Sequence, residues 1–430
     1  MNARERFLAT AGFERLDRPM YWECAFWPET VQRWRQEGLP DLDGDPDPTV
    51  PPNCSIPLSV EKHFGWDPFF FAIPVEMRHL CPPFEEEVIE DHGGWVLRRN
   101  RDGAIEKAPK NHTSMRAIVR GSIETREDWE RIKERIRPDL ASRTPDYFDK
   151  WLQQCPQMTR PVRGLHCEHW LNLCELFGTQ NLLCLMLDDP TWLKEMLAYL
   201  TEFFIGLAEQ VLVRAVPDVA IIGGDFCYKT GPLMSPEAFG EFLVPEFRKV
   251  SDVLQAYGVP VIMMHTDGDC RQLMPMFIEA GANAVHPFEV TNGQSIVDIR
   301  KEYPDVLIFG GIDKKAIAAG KDAIDRELES KLPFMLKHGG YYPYLDHAVD
   351  PEISFDNFVY YRGKLREIVE RELVILATDR PFRFRTFPLA RMSPMFSEIR
   401  LSALSLAPTC NTPPPPSSTT SVLPSRRPSS

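Results

Sequence analysis

The stretch VIMMHTDGDC, Val261 to Cys270, sets an imidazole and a carboxylate two residues apart, His265 and Asp267, where four apolar residues give way to polar ones. Alternate side chains of an extended chain share a face, so the two groups can point at one ligand. Burying either charge alone is expensive. The pair therefore predicts a metal or substrate contact, the alternative being a His–Asp hydrogen bond that closes the loop.

The same pattern recurs at the ends of other apolar runs. His166 and Glu168 alternate in GLHCEHW, as do Cys167 and His169 on the opposite face. Asp225 follows VAIIGG, whose Gly223 and Gly224 let backbone approach a ligand closely. His286 and Glu289 close NAVHPFEV, Asp313 follows FGGI, and Asp346 and His347 close YYPYLDH. Glu23 sits in MYWECAF. Imidazoles and carboxylates in this density suit binding of a divalent metal and movement of protons. Asp225 and Glu23 are the candidate acids; His166, Glu168, Tyr228, His286 and Glu289 are candidate substrate contacts. Asp313 suits a helix cap better than a site. Trp22, Phe26, Trp27, Phe69, Phe70, Phe71, Tyr228, Tyr341, Tyr342 and Tyr344 could line a pocket, although most such aromatics are core.

These residues need strands to present them. Six candidates, PVRGLHCEHW, VAIIGGDFC, PVIMMHTDG, NAVHPFEV, VLIFGGID and GYYPYLDH, alternate with helical stretches from about residue 160 onward. One helix is expected from Ser235 to Tyr257, with Ser235 as cap, Pro236 in the first position and Gly258 past the end. Another follows Asp188-Asp189-Pro190, and others cover about 271–280, 293–302, 322–337 and 354–372. Alternation with two-sided apolar strands implies an α/β fold with a parallel sheet. Neither GxGxxG nor GxxxxGK[ST] occurs, which disfavours an open nucleotide-binding sheet. Polar residues gathered at strand C-terminal ends favour a closed (β/α)8 TIM barrel, whose active site lies at that mouth. MYWECAF would be its first strand. Residues of about 50–125, rich in Pro and aromatics, read as a β-containing N-terminal excursion near the mouth.

Composition bounds the rest. The 430 residues are 43% hydrophobic, enough for a sizeable core. A formal charge of -13 with no basic stripe disfavours nucleic acid and anionic membrane as partners. The opening MNARERFLATAGFERLDRP is too charged for a secretory signal and no apolar run suits a membrane span, so a cytoplasmic location is expected. Ten cysteines without a CxxC pair fit reduced thiols. Residues 1–376 read as the barrel and 377–430 as a disordered Pro/Ser-rich tail; 17 of the last 23 residues are Pro, Ser or Thr.

The chain resembles the uroporphyrinogen decarboxylase superfamily, in the branch that includes cobalamin-dependent methyltransferases. The resemblance rests on the order and spacing of RERFLATAGFERLDRPM, DDPTWLKEML, GGDFCYKTGPLMSPEAFGEFLVPEFRKV, MMHTDGDCRQLMPMFIEAGANAVHPFE, FGGID and GGYYPYLDHAVDPEISFDNFVYY. Two departures matter. The RQAGRY-type segment whose arginines hold substrate carboxylates in true decarboxylases is replaced by YWECAFWPETVQRW. The methyltransferase branch carries a His-x-Cys zinc motif and a later Cys; here the histidine falls on His265, the first Cys on Asp267 and the later one at or beside His347. The resemblance thus implies a metal site of His265, Asp267 and His347, holding zinc or, with these harder ligands, iron or manganese. It implies methyl transfer between a small methoxy or methylamine substrate, or a corrinoid on a partner protein, and an acceptor. The alternative is decarboxylation of a porphyrinogen or other carboxylated ring, and a third reading is a non-catalytic binding barrel.

Overall fold

The computed structural model describes residues 1–40, 58–68, 70–78, 80–110 and 117–378. Phe69 lies outside the described residues, and so does the expected tail, apart from its first two positions at the end of helix Phe355–Thr378. All described residues fall in one compact unit, Met1–Phe387.

Among the described residues, thirteen strands form three sheets. The central one is parallel, in the order β1 (Phe71–Ala72), β6 (Val162–Cys167), β7 (Val219–Gly223), β10 (Val261–His265), β11 (Ala284–Phe288), β12 (Leu307–Gly310) and β13 (Tyr341–Tyr342). From β6 onward this is the set of six strands expected, with helices between them. The apolar runs are strands buried on both faces: β7 and β12 are buried along their whole length. The second sheet is antiparallel, β2 (Glu87–Asp91), β3 (Trp95–Arg99), β4 (Ile105–Pro109) and β5 (Ala117–Arg120), and the third is the small hairpin of β8 (Cys227–Tyr228) and β9 (Gly231–Pro232).

Among the described residues the parallel ladder holds seven strands: the six expected from residue 160 onward and β1, which falls in the stretch of about 50–125 expected as an excursion. MYWECAF, expected as the first strand, makes one bridge, Phe26 to Val349. Residues outside the ladder take up other backbone groups of the segment: the Tyr21 N–H donates to Asp67 Oδ2 at 2.8 Å, the Tyr21 carbonyl accepts from the Asp67 N–H at 2.9 Å, and the Trp22 carbonyl accepts from Arg362 Nη1 at 3.4 Å; the Glu23 side chain reaches away to the Leu345 N–H at 3.0 Å. Aromatic rings fill the space between the edge strands. Trp22 lies 4.9 Å from Phe70 and 6.1 Å from Tyr342, with Phe7 5.5 Å and 5.1 Å from the same rings.

The helix expected over Ser235–Tyr257 is two, Pro236–Phe242 and Val244–Ala256, broken at Leu243. Pro245 has no N–H to give to the preceding turn, so the ladder cannot run through it. The cap stands as expected, Ser235 accepting from the Ala238 N–H at 3.2 Å. Helix Pro190–Leu212 likewise starts on Asp189, which accepts from the Trp192 N–H at 3.0 Å. No helix among the described residues is long and apolar enough to cross a membrane.

Candidate active site

Four strand ends, those of β6, β7, β10 and β11, bring most of the candidate residues together. Glu168 follows β6 with its side chain 1% exposed, and its Oε1 lies 2.8 Å from Nδ1 of His265 at the end of β10. His166 Nδ1 and Arg78 Nε approach its other oxygen at 3.7 Å and 3.3 Å. β7 runs between β6 and β10, and it ends in Gly223. That residue has φ +144°, and a Cβ there would come within 2.3 Å of the His265 carbonyl oxygen. A side chain at this position would force apart the strands that carry Glu168 and His265.

Burial alone would push Glu168 up, but contacts with His166 and His265 and the charge of Arg78 hold it well below the usual carboxylate range. Burial would push His265 down, but the hydrogen bond and charge of Glu168, with Asp225 and Asp267 nearby, raise it to about 9. The opposite face of the β6 end turns toward the helices, where His169 Nε2 lies 2.9 Å from Thr201 Oγ1 and its ring packs on Phe204 and Phe247.

Asp267 follows two residues after His265. The Gly268 N–H that comes next is held by Glu289 Oε2 at 2.8 Å, and Gly268 has φ +78° with its Cβ position against the Cys227 and Tyr228 backbone, so only glycine fits. Asp267 Oδ1 faces His347 Nε2 at 3.5 Å. Burial would raise Asp267, but His347 lowers it to about 2; His347 rises in return against its own burial. Asp225 is raised, first by burial and then by Asp267 and Glu168.

Potential ligand atoms fall into two sets that share Asp267: Asp225, His265 and Asp267, and Asp267, Glu289 and His347, each with one atom per residue within 4.8 Å of the others. The expected trio of His265, Asp267 and His347 is therefore divided, one histidine to each set. The residues fit a divalent cation. Asp267 Oδ1 is shut off from solvent and faces His347 Nε2 at 3.5 Å, too long for a well-formed hydrogen bond, although the side chain as a whole is 40% exposed; mixed carboxylate and imidazole donors suit zinc, iron or manganese. Glu168 on His265 Nδ1 leaves Nε2 as the ligand atom, the carboxylate–histidine arrangement that orients such ligands.

Other candidates stand elsewhere. Glu23, expected as a pocket acid, is fully buried away from these sets: Arg362 Nη1 at 2.7 Å and the Tyr361 hydroxyl at 3.0 Å engage Oε1, and the Leu345 N–H engages Oε2. Tyr228 is 59% exposed on the hairpin, and its carbonyl accepts from the Asp269 N–H. Asp313 caps helix Lys314–Ala319. Asp346, beside His347, accepts from the N–H groups of Val290, Thr291 and Lys314, and burial lifts it to about 6. His286 Nδ1 lies 2.6 Å from the Tyr344 hydroxyl. Sequence reasoning missed Arg78, whose place on Glu168 has no local signal, and the role of Tyr344 as the partner of His286.

The family model described as Uroporphyrinogen decarboxylase (URO-D) matches residues 123–362. Among solved structures, a methyltransferase from Methanosarcina mazei is similar in fold, with a TM-score of 0.55 at 15% sequence identity, over 86% of this chain and 99% of that one. No curated protein matches. The family match takes in strands β6 to β13 and every candidate ligand. Spanning more than half of the sequence, it shows that the chain belongs to the uroporphyrinogen decarboxylase (URO-D) family.

Proposed function

We propose that the protein is a methyltransferase on a (β/α)8-type scaffold in which residues 21–26 take the place of the eighth strand. It moves a methyl group between a small methoxy or methylamine substrate, or the corrinoid of a separate partner protein, and an acceptor. The observation that carries the reading is the convergence of Asp225, His265, Glu289 and His347 on Asp267, whose Oδ1 is closed off from solvent and faces His347 Nε2 at 3.5 Å. The likeness in fold to a methyltransferase supports it.

Asp267 would hold zinc or another divalent cation with His265 and Asp225, or with His347 and Glu289. Such a cation supplies a Lewis acid that makes a bound thiol or water a nucleophile near neutral pH. The protein's own groups do the remaining work. Glu168 fixes the His265 ring through Nδ1 and so aims Nε2. Glu289 ties down the turn at Gly268, which fixes Asp267. With the cation on Asp267, His347 and Glu289, Asp225 is left free; raised by burial, it holds a proton more readily than an ordinary carboxyl and can return it to a leaving group.

The test is elemental analysis of the purified protein, followed by methyl transfer from methylcobalamin to a small thiol. Bound zinc or another divalent metal, with transfer lost in Asp267→Asn, is expected. Full transfer by metal-free protein would sink the reading. Release of carbon dioxide from a porphyrinogen in place of methyl transfer would establish the carboxy-lyase alternative.

A further inference from the structure

Beside the metal ligands lies a second array that the proposed function does not use. Cys24 Sγ stands 3.8 Å from Nε2 of His286, and the Tyr344 hydroxyl stands 2.6 Å from Nδ1 of the same ring. The three residues come from the N-terminal segment, the β11 strand and the stretch after β13, so the fold assembles the row. His286 pairs in register with His265, and the two rings lie 5.9 Å apart, which puts the row at the same strand ends as the metal ligands.

The thiol is clamped in place. On one side Glu23 ties its own segment to the Leu345 N–H; on the other, the Ala25 carbonyl accepts from the Val349 N–H at 2.9 Å and the Trp27 N–H donates to the Val349 carbonyl at 3.1 Å. Cys24 remains partly exposed, whereas Cys167, Cys174, Cys227 and Cys270 are buried.

The ring has one arrangement that serves the sulfur. A Tyr344 hydroxyl that donates to Nδ1 fixes the neutral tautomer with its hydrogen on Nε2, and that N–H then points at Cys24. Hydrogen bonds to an anion are stronger than those to a neutral group, so this donor favours the thiolate over the thiol.

We propose that Cys24 is a nucleophilic thiol of the strand-end site, positioned by His286 and Tyr344, that takes the carbon of a small electrophile. In the step, sulfur forms the new S–C bond, the bond from that carbon to its leaving group breaks, the electron pair departs with the leaving group, and the thiol proton passes to water. The identity of the natural electrophile, a methyl group on a good leaving group, rests on the methyl-transfer reading; the reactivity of the thiol does not.

The probe is iodoacetamide, applied to the reduced full-length protein, with peptide mass mapping of each cysteine over time and the exposed Cys184 as internal reference. Cys24 is expected to be alkylated about tenfold faster than Cys184. His286→Leu and Tyr344→Phe should each slow Cys24 toward the reference rate, and His286→Gln, which keeps an N–H near the Nε2 position, should restore part of the difference. Cys24 labelling no faster than Cys184 in the unmodified protein overturns the proposal, and so does an unchanged Cys24 rate in His286→Leu with a native circular-dichroism spectrum. Zinc binding and Cys24 alkylation measured side by side on the unmodified protein separate the two ideas. A slow Cys24 in a protein that binds zinc removes only the nucleophile, whereas a fast Cys24 in a protein that binds no zinc removes only the metal reading.

Discussion

Glu168 and His265, 97 residues apart in the chain, meet at 2.8 Å across the end of β7. The carboxylate has no solvent to rely on, and the imidazole has one nitrogen committed to it. This pair decides both the charge of the site and the direction in which His265 can bind anything.

Divalent-metal affinity should fall when Glu168 becomes Gln. The variant keeps the size of the side chain but removes the charge that orients and enriches His265. Removal of such an orienting partner weakens metal binding by about 10- to 100-fold. Isothermal titration with zinc measures this, and equal affinities in the two proteins would contradict the proposed role of His265 as a ligand.

Metal binding should also strengthen as pH rises. His265 in the metal-free protein carries its proton up to about pH 9, because Glu168 outweighs burial. A metal must displace that proton, so apparent affinity should climb by up to about tenfold per pH unit between pH 7 and 9 and level off above. Proton release on binding, read from the buffer dependence of the heat, checks the same linkage.

The stability of the metal-free protein should run the other way. The folded value of His265 lies above its ordinary 6.5, so its charged form favours the fold. That contribution is complete below about pH 6.5 and is lost as pH rises toward 9, on the order of 1–3 kcal/mol. Urea denaturation in the presence of a chelator, compared at pH 6 and pH 9 for the native protein and His265→Ala, should show a larger loss in the native protein, the remainder in the variant coming from His347, which Asp267 also raises.

Asp346→Asn tests the frame behind His347. Both carboxylate oxygens accept from backbone N–H groups, of Val290 and Thr291 on one side and Lys314 on the other. An amide must turn its own N–H toward one of those donors, which costs about 1–3 kcal/mol for a buried group left unmatched. Chemical denaturation gives the number; a variant as stable as the parent would show that the three contacts do not hold the loop.

Arg362→Met tests the fully buried pair at the N-terminal segment. Glu23 is 0% exposed and Arg362 lies 2.7 Å from it. Removing the cation leaves an uncompensated buried carboxylate and should destabilise the protein by about 3–5 kcal/mol. The double variant Glu23→Gln with Arg362→Met should recover much of that loss, since the stranded charge goes with it. Thermal melts of the three proteins against the parent decide it.

Much of the scaffold was legible in the chain itself. Runs such as VAII and VIMM have no polar face, so they had to be strands covered on both sides, and the caps Ser235 and Asp189 are where their side chains can take up free N–H groups. The long helix after Ser235 was misread because its apolar spacing continues through Pro245, while the missing N–H of that proline acts on the backbone alone. MYWECAF has the alternation of a ladder strand, yet Asp67 and Arg362 engage its backbone at Tyr21 and Trp22, and a single bridge to Val349 is left.

The sequence by itself determined which residues stand at strand ends, because that follows from local alternation of apolar and polar side chains. His265, Asp267, Glu168, Asp225 and His347 could all be named that way. Only the tertiary structure decided how they pair: Glu168 with His265, Asp267 with His347, and Glu23 turned to Arg362 instead of the site. Pairing depends on which strands are neighbours and on what their ends leave open, here the bare Gly223 end of β7. A charge in a buried site takes the nearest compensating group, and nearness across a sheet is a property of the tertiary fold that no local stretch of chain carries.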